Sequence, residues 1–202
     1  MMVEVPFRLA QVTVLREGDE GRTWLRELPR LVKTACRRWQ CVIDGEPTHG
    51  QVALVVPVQH PAGPAVLKVS FAHPGNLGEA HALRTFDGHG AVRLLEVDDT
   101  SLVLVLERAL PQTLADHVKT GACSVEEAID IAGDLARRLA IPPLADVRPL
   151  TETMSGWAEQ LDEQIAAHPD ALPGRVLDQA RETIQQLAGD QTTTMLHGDL
   201  HY

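Results

Sequence analysis

Lys68 is the only charged residue in Ala65-Val66-Leu67-Lys68-Val69, a run that otherwise reads as a buried strand. The chain has 15 Arg and only three Lys, so a lysine here stands out. An ammonium taken out of water needs a partner, because an isolated buried charge is very costly. Phosphate oxygens suit a compact point charge of this kind. Glu79, a short distance on, is a second candidate partner. The plain alternative puts Lys68 on the wet face of a half-exposed strand. A second concentration of reactive groups is His197-Gly198-Asp199-Leu200-His201. Asp199 can act there as a base that accepts a proton from a substrate hydroxyl, with His197 shaping the loop. His197, Asp199 and His201 also offer three donors to a metal, as a hydrolase would use them, although three donors alone leave a metal under-coordinated. The bland reading is a polar loop, since Gly after a strand is common turn chemistry. His49, His60, His73, His81, His89, His117 and His168 are scattered and form no ligand cluster.

Those residues need elements to hold them. Trp24, Leu25, Leu28, Leu31, Val32, Cys36 and Trp39 fall at spacings of three and four, which predicts a helix over 21–39 with a break at Pro29. From residue 40 the period changes. Val- and Leu-rich runs at 51–58, 64–71, 91–97 and 101–107, separated by turn formers, predict antiparallel strands. Between them, 76–86 reads as one inserted helix, with Leu77, Ala80, Leu83 and Phe86 on a common face. The Gly45–Gly50 hairpin could cover a phosphate, but it lacks a glycine fingerprint and reads equally well as a connection. No Gly-x-x-x-x-Gly-Lys-Ser/Thr loop is present.

After Pro111 the strand signal stops. Residues 124–141 predict a helix that opens on a Ser124/Glu127 capping box, and 151–167 and 173–188 predict two more. Thr194-Met195-Leu196 reads as a short strand leading into the His-Gly-Asp motif. The order implies an α+β chain with a β-rich lobe over residues 1–110 and a helical lobe over 111–202. Glu107-Arg108-Ala109 falls at the handover, where an inter-lobe hinge would present backbone groups to a flat ring.

With 202 residues, 44% apolar, the chain can bury a real core. Its net charge of −10 makes nucleic acid an unexpected partner. No apolar run approaches a membrane span, and Met1-Met2-Val3-Glu4 is no signal sequence, so a cytoplasmic protein with no membrane partner is expected. Cys36, Cys41 and Cys123 read as inert thiols in a reducing compartment. The charge is uneven: +1 over residues 1–50, −2 over 51–110 and −9 over 111–202. A negative cleft would concentrate a cationic ligand, whereas solvated helix faces would explain the same count without one.

Taken in order, these residues resemble the aminoglycoside phosphotransferases, in particular the streptomycin 6-kinase and hydroxyurea phosphotransferase branch. The likeness rests on Gly18-Asp19-Glu20-Gly21-Arg22-Thr23-Trp24-Leu25, Leu28-Pro29, Arg38-Trp39, Asp44-Gly45 and Leu54-Val55-Val56-Pro57-Val58. It rests also on Leu196-His197-Gly198-Asp199-Leu200-His201-Tyr202, similar to the start of that family's catalytic loop. The resemblance implies a two-lobed protein-kinase-like fold and ATP with magnesium as cofactors. It implies that Lys68 contacts the ATP phosphates, positioned by Glu79, and that Glu107 and Ala109 lie in the hinge beside adenine. Asp199 would deprotonate a hydroxyl of a cationic, streptomycin-like small molecule, with the protein monomeric at full length. The family's loop continues with an Asn that would be position 204 and a later carboxylate for magnesium. Both lie past Tyr202, so no metal ligand is assigned within these residues. By themselves they are expected to be truncated in the catalytic loop, inactive or nearly so, and poorly soluble because the helices at 124–141 and 173–188 lack partners. A non-catalytic nucleotide- or drug-binding module is the alternative from another class.

Overall fold

The computed structural model describes residues 3–73, 75–144, 149–169, 171–189, 194 and 195. They divide into two compact units, one ending at Leu139 and the other beginning at Ala140. The first opens with helix α1 (Phe7–Arg38), followed by short strands β1 (Val42–Ile43) and β2 (Thr48–His49). Strands β3 (Ala53–His60) and β4 (Gly63–Ser70) form a hairpin, and helix α2 (Glu79–Phe86) leads to a second hairpin of β5 (Leu94–Asp98) and β6 (Val103–Glu107). Helices α3 (Leu114–Thr120) and α4 (Val125–Leu139) complete this unit. The second unit holds α5 (Leu150–Ala167) and α6 (Gly174–Gly189).

The fold is α+β, as the change of hydrophobic period implies. All strand pairs are antiparallel, in the order β1-β3-β4-β6-β5, with β2 also pairing β3. The expected strands match β3 to β6 within three residues. Alternation along β4 explains why both faces of the sheet are used. Ala65, Leu67 and Val69 are fully buried, together with Leu54, Val56, Val58 and Val105, in a core to which α1 contributes Leu28, Val32 and Ala35. On the other face Val66 meets Leu104 and Leu106 beneath Ala80 and Leu83 of α2. The sheet is thus sandwiched between α1 and α2, and Lys68 lies on the α2 face, opposite Leu104.

Three expectations are corrected. Helix α1 begins at Phe7, well before residue 21. Its interruption falls at Gly18 (φ 56°, ψ −127°), not at Pro29. Proline removes one helical hydrogen bond, but Leu28, Val32 and Ala35 anchor the helix to the sheet on either side of it. Gly18 alone adopts a backbone conformation in α1 that a side chain would disfavour. Third, Thr194 and Met195 are not in a strand, although the Met195 N–H donates to the Ile141 carbonyl at 2.8 Å. Sequence periodicity also passed over β1, β2 and α3, which are each seven residues or fewer. Among the described residues, no helix is long and apolar enough to cross a membrane.

Candidate functional site

The approach of α2 to β4 is where charge enters the sheet. Lys68 Nζ donates to Glu79 Oε1 at 2.5 Å, and each side chain keeps 25% of its exposure. Glu79 is the first residue of α2, where a carboxylate is favoured by the helix dipole. The turn before it is fixed by Asn76, whose side chain donates to the Phe71 carbonyl (2.8 Å) and accepts from the His73 N–H (3.1 Å). Of the three ammonium donors, one is occupied; Lys68 makes no other hydrogen bond among the described residues. A quarter-exposed lysine side chain with one donor held by Glu79 and two spare is open enough to take a second anionic ligand.

Further along β4 the register sets Ala65 opposite Glu107, three residues from the Lys68–Leu104 pair. The Glu107 carboxylate accepts from the Arg93 N–H at 3.2 Å and lies 3.5 Å from its guanidinium. These contacts, the backbone N–H foremost, hold its pKa below the usual range. The side chain of Glu107 is therefore committed, and so is its backbone N–H, which donates to the Arg93 carbonyl at 2.9 Å. Ala109 is exposed, and no hydrogen bond engages its backbone among the described residues.

Arg108, between them, stands in the hinge segment that the sequence marks, but its side chain has no role legible there. Its Nη2 donates to Asp44 Oδ1 (2.6 Å) and to the Val58 carbonyl (2.7 Å), while Nε donates to the Ala65 carbonyl (3.0 Å). One guanidinium thus ties the end of β6 to β3, β4 and the segment before β2. Its bond to Asp44, joined by one from Gln59, holds the Asp44 carboxyl below the ordinary carboxylate range. Nothing periodic announces such a residue; the one signal in the sequence is an arginine directly after a buried strand.

His197, Asp199 and His201 lie outside the described residues. Among the described residues, no group of three His, Cys, Asp or Glu side chains could hold a metal. The carboxylates described on α4 to α6 lie at or near the surface, and several pair with arginines: Asp134 with Arg137, and Asp162 and Asp178 with Arg181. The groove between α5 and α6, about 990 Å³, is lined mainly by Trp157, Leu161, Val176, Ala180 and Ile184 with glutamines, and Arg175 is its one charged residue. The three cysteines are free; burial raises Cys36 and pushes Cys41 up to about 11, which makes both poor nucleophiles.

The family described as aminoglycoside/hydroxyurea antibiotic resistance kinase matches residues 38–202. The chain belongs to that family. It is 35% identical to a streptomycin 6-kinase of Streptomyces glaucescens, over 100% of this chain and 65% of the relative. It is 32% identical to a hydroxyurea phosphotransferase of Kitasatospora aureofaciens (100% and 59%). It is also 32% identical to a streptomycin 6-kinase of Streptomyces griseus (99% and 64%). The chain of this family member therefore spans about three-fifths of the length of the curated relatives it matches. No solved structure matches it significantly.

Proposed function

We propose that this protein is an ATP-dependent phosphotransferase that moves the γ-phosphoryl group to a hydroxyl of a streptomycin-like aminoglycoside and so confers resistance. The observation that carries the reading is the Lys68–Glu79 pair. It is a strand ammonium held by a helix carboxylate, with donors to spare, in a chain similar to streptomycin kinases. In this reading Lys68 grips the α- and β-phosphates, and Glu79 keeps its side chain aimed. The backbone at Glu107 and Ala109 borders the adenine, with Arg108 bracing it. Asp199 takes the proton from the drug hydroxyl while His197 shapes the loop. The hydroxyl oxygen bonds to the γ-phosphorus as the bond from phosphorus to the ADP oxygen breaks.

Most of the acceleration in such chemistry is positioning and charge neutralisation. Magnesium would arrive with the nucleotide. The described residues offer it no ligand set, and no step is assigned to a protein-bound metal. Dependence on ATP puts the work in the cytoplasm, and a monomer suffices for it. The substrate is assigned from similarity to the streptomycin kinases, with the acidic half of the chain as a favourable but secondary feature.

The test is transfer of label from γ-labelled ATP to streptomycin by the purified protein. Lys68→Ala is expected to lower kcat/KM at least a hundredfold. Label reaching no aminoglycoside, or a rate indifferent to Lys68→Ala, overturns the assignment.

A further inference from the structure

Ser70 lies two residues beyond Lys68 on the same face of β4 and is 5% exposed, yet its hydroxyl has no hydrogen-bond partner among the described residues. Its backbone is fixed, the N–H donating to the Leu102 carbonyl at 3.1 Å. The side chain borders a cavity of about 100 Å³ beneath the first turn of α2, lined also by Asn76, Glu79, Asp99, Leu102 and Leu104. The other polar groups there have commitments. The Asn76 amide is used at both ends, and Asp99 faces Arg84 at 3.4 Å. Glu79 gives one carboxylate oxygen to Lys68, and its second makes no hydrogen bond among the described residues.

A buried hydroxyl without a partner bears its full desolvation cost, so native proteins rarely leave one unpaired. The size of the cavity decides what can pair it. It exceeds the roughly 30 Å³ that one water occupies in the liquid and falls well short of the roughly 300 Å³ of a small-molecule pocket. Water fits, and a metabolite does not.

We propose that Ser70 is a positioning residue for Glu79: an ordered water in this cavity bridges the Ser70 hydroxyl to the Glu79 carboxylate oxygen that Lys68 leaves free. The bridge fixes the rotamer in which Glu79 presents Lys68. Its consequence for nucleotide binding rests on the phosphate-binding role proposed above; the bridge itself does not.

A thermal-unfolding double-mutant cycle of Ser70→Ala with Glu79→Ala reads the bridge without any ligand. Ser70→Ala is expected to lower Tm by about 2–4 °C when Glu79 is present and by much less in the Glu79→Ala background. Ser70→Thr, which keeps the hydroxyl, should restore the loss. Titration with a magnesium complex of a non-hydrolysable ATP analogue supplies the second readout. Ser70→Ala should weaken binding several-fold in the wild-type background and not further in Lys68→Ala. An unchanged or raised Tm for Ser70→Ala, or equal losses with and without Glu79, overturns the bridge. Wild-type protein that shows no saturable analogue binding would count against the nucleotide reading, and the Tm cycle would still decide the bridge.

Discussion

Lys68 and Arg108 are both cations on the sheet, yet the structure gives them opposite tasks. Lys68 keeps donors free beside a single carboxylate, whereas Arg108 spends its donors on Asp44, Val58 and Ala65. Arg108 should therefore act through stability. The folded-state pKa of Asp44 is depressed, so its contribution is present above the ordinary aspartate value of about 3.9 and lost as pH falls through the lower folded value. Asp44→Asn is expected to flatten the loss of stability below about pH 4, measured by urea unfolding across pH; an unchanged acid slope would remove Asp44 from the network. Lys68 was legible in the sequence because a charge interrupts an apolar run, and Glu79 because a helix follows. Arg108 and Ser70 were not. Hydrogen bonds to backbone carbonyls and unpaired hydroxyls leave no trace in residue spacing.

At the scale of elements, α1 and α4 show what patterning can and cannot carry. In α4 the Ser124 N–H donates to Glu127 (2.8 Å) and the Glu127 N–H to the Ser124 hydroxyl (3.1 Å), the reciprocal cap expected from the sequence. Ser124→Ala should cost about 1 kcal/mol, read as a lower urea midpoint at unchanged slope. The first half of α1 was missed because its large apolar residues Phe7 and Leu15 are exposed, while its buried positions are Leu9 and Thr13. Its return past the Gly18 kink depends on Gly21. A Cβ there would meet the Thr13 carbonyl oxygen at 2.8 Å and its Cγ2 at 2.9 Å. In an open helix Gly→Ala gains about 1 kcal/mol. Here a clash with backbone, typically about 1–3 kcal/mol for overpacking, should win, and Gly21→Ala should melt lower than wild type. A higher Tm would mean that the two halves of α1 separate easily.

For the whole molecule, the described surface carries apolar side chains that a sealed core would hide. Val125 and Ile129 are 56% and 64% exposed, and with Leu114 and Val118 they line a groove of about 440 Å³ in the first unit. In the second unit Trp157 is 48% exposed. The sequence pattern showed α4 as amphipathic, but not which part of its stripe is covered, because that depends on distant packing. Residues 1–202 are expected to bind a hydrophobic dye and to self-associate with rising concentration, and Ile129→Glu should reduce both. A dye-silent monomer with a sharp unfolding transition would show the faces to be covered. Phosphotransfer by this protein depends first on Lys68 meeting phosphate. Calorimetric titration of wild type and Lys68→Ala with adenosine and with a non-hydrolysable ATP analogue plus magnesium measures this directly. Lys68→Ala should weaken the analogue at least tenfold and leave adenosine unchanged. Equal affinity of both proteins for the analogue, or a parallel loss of both ligands, would contradict it.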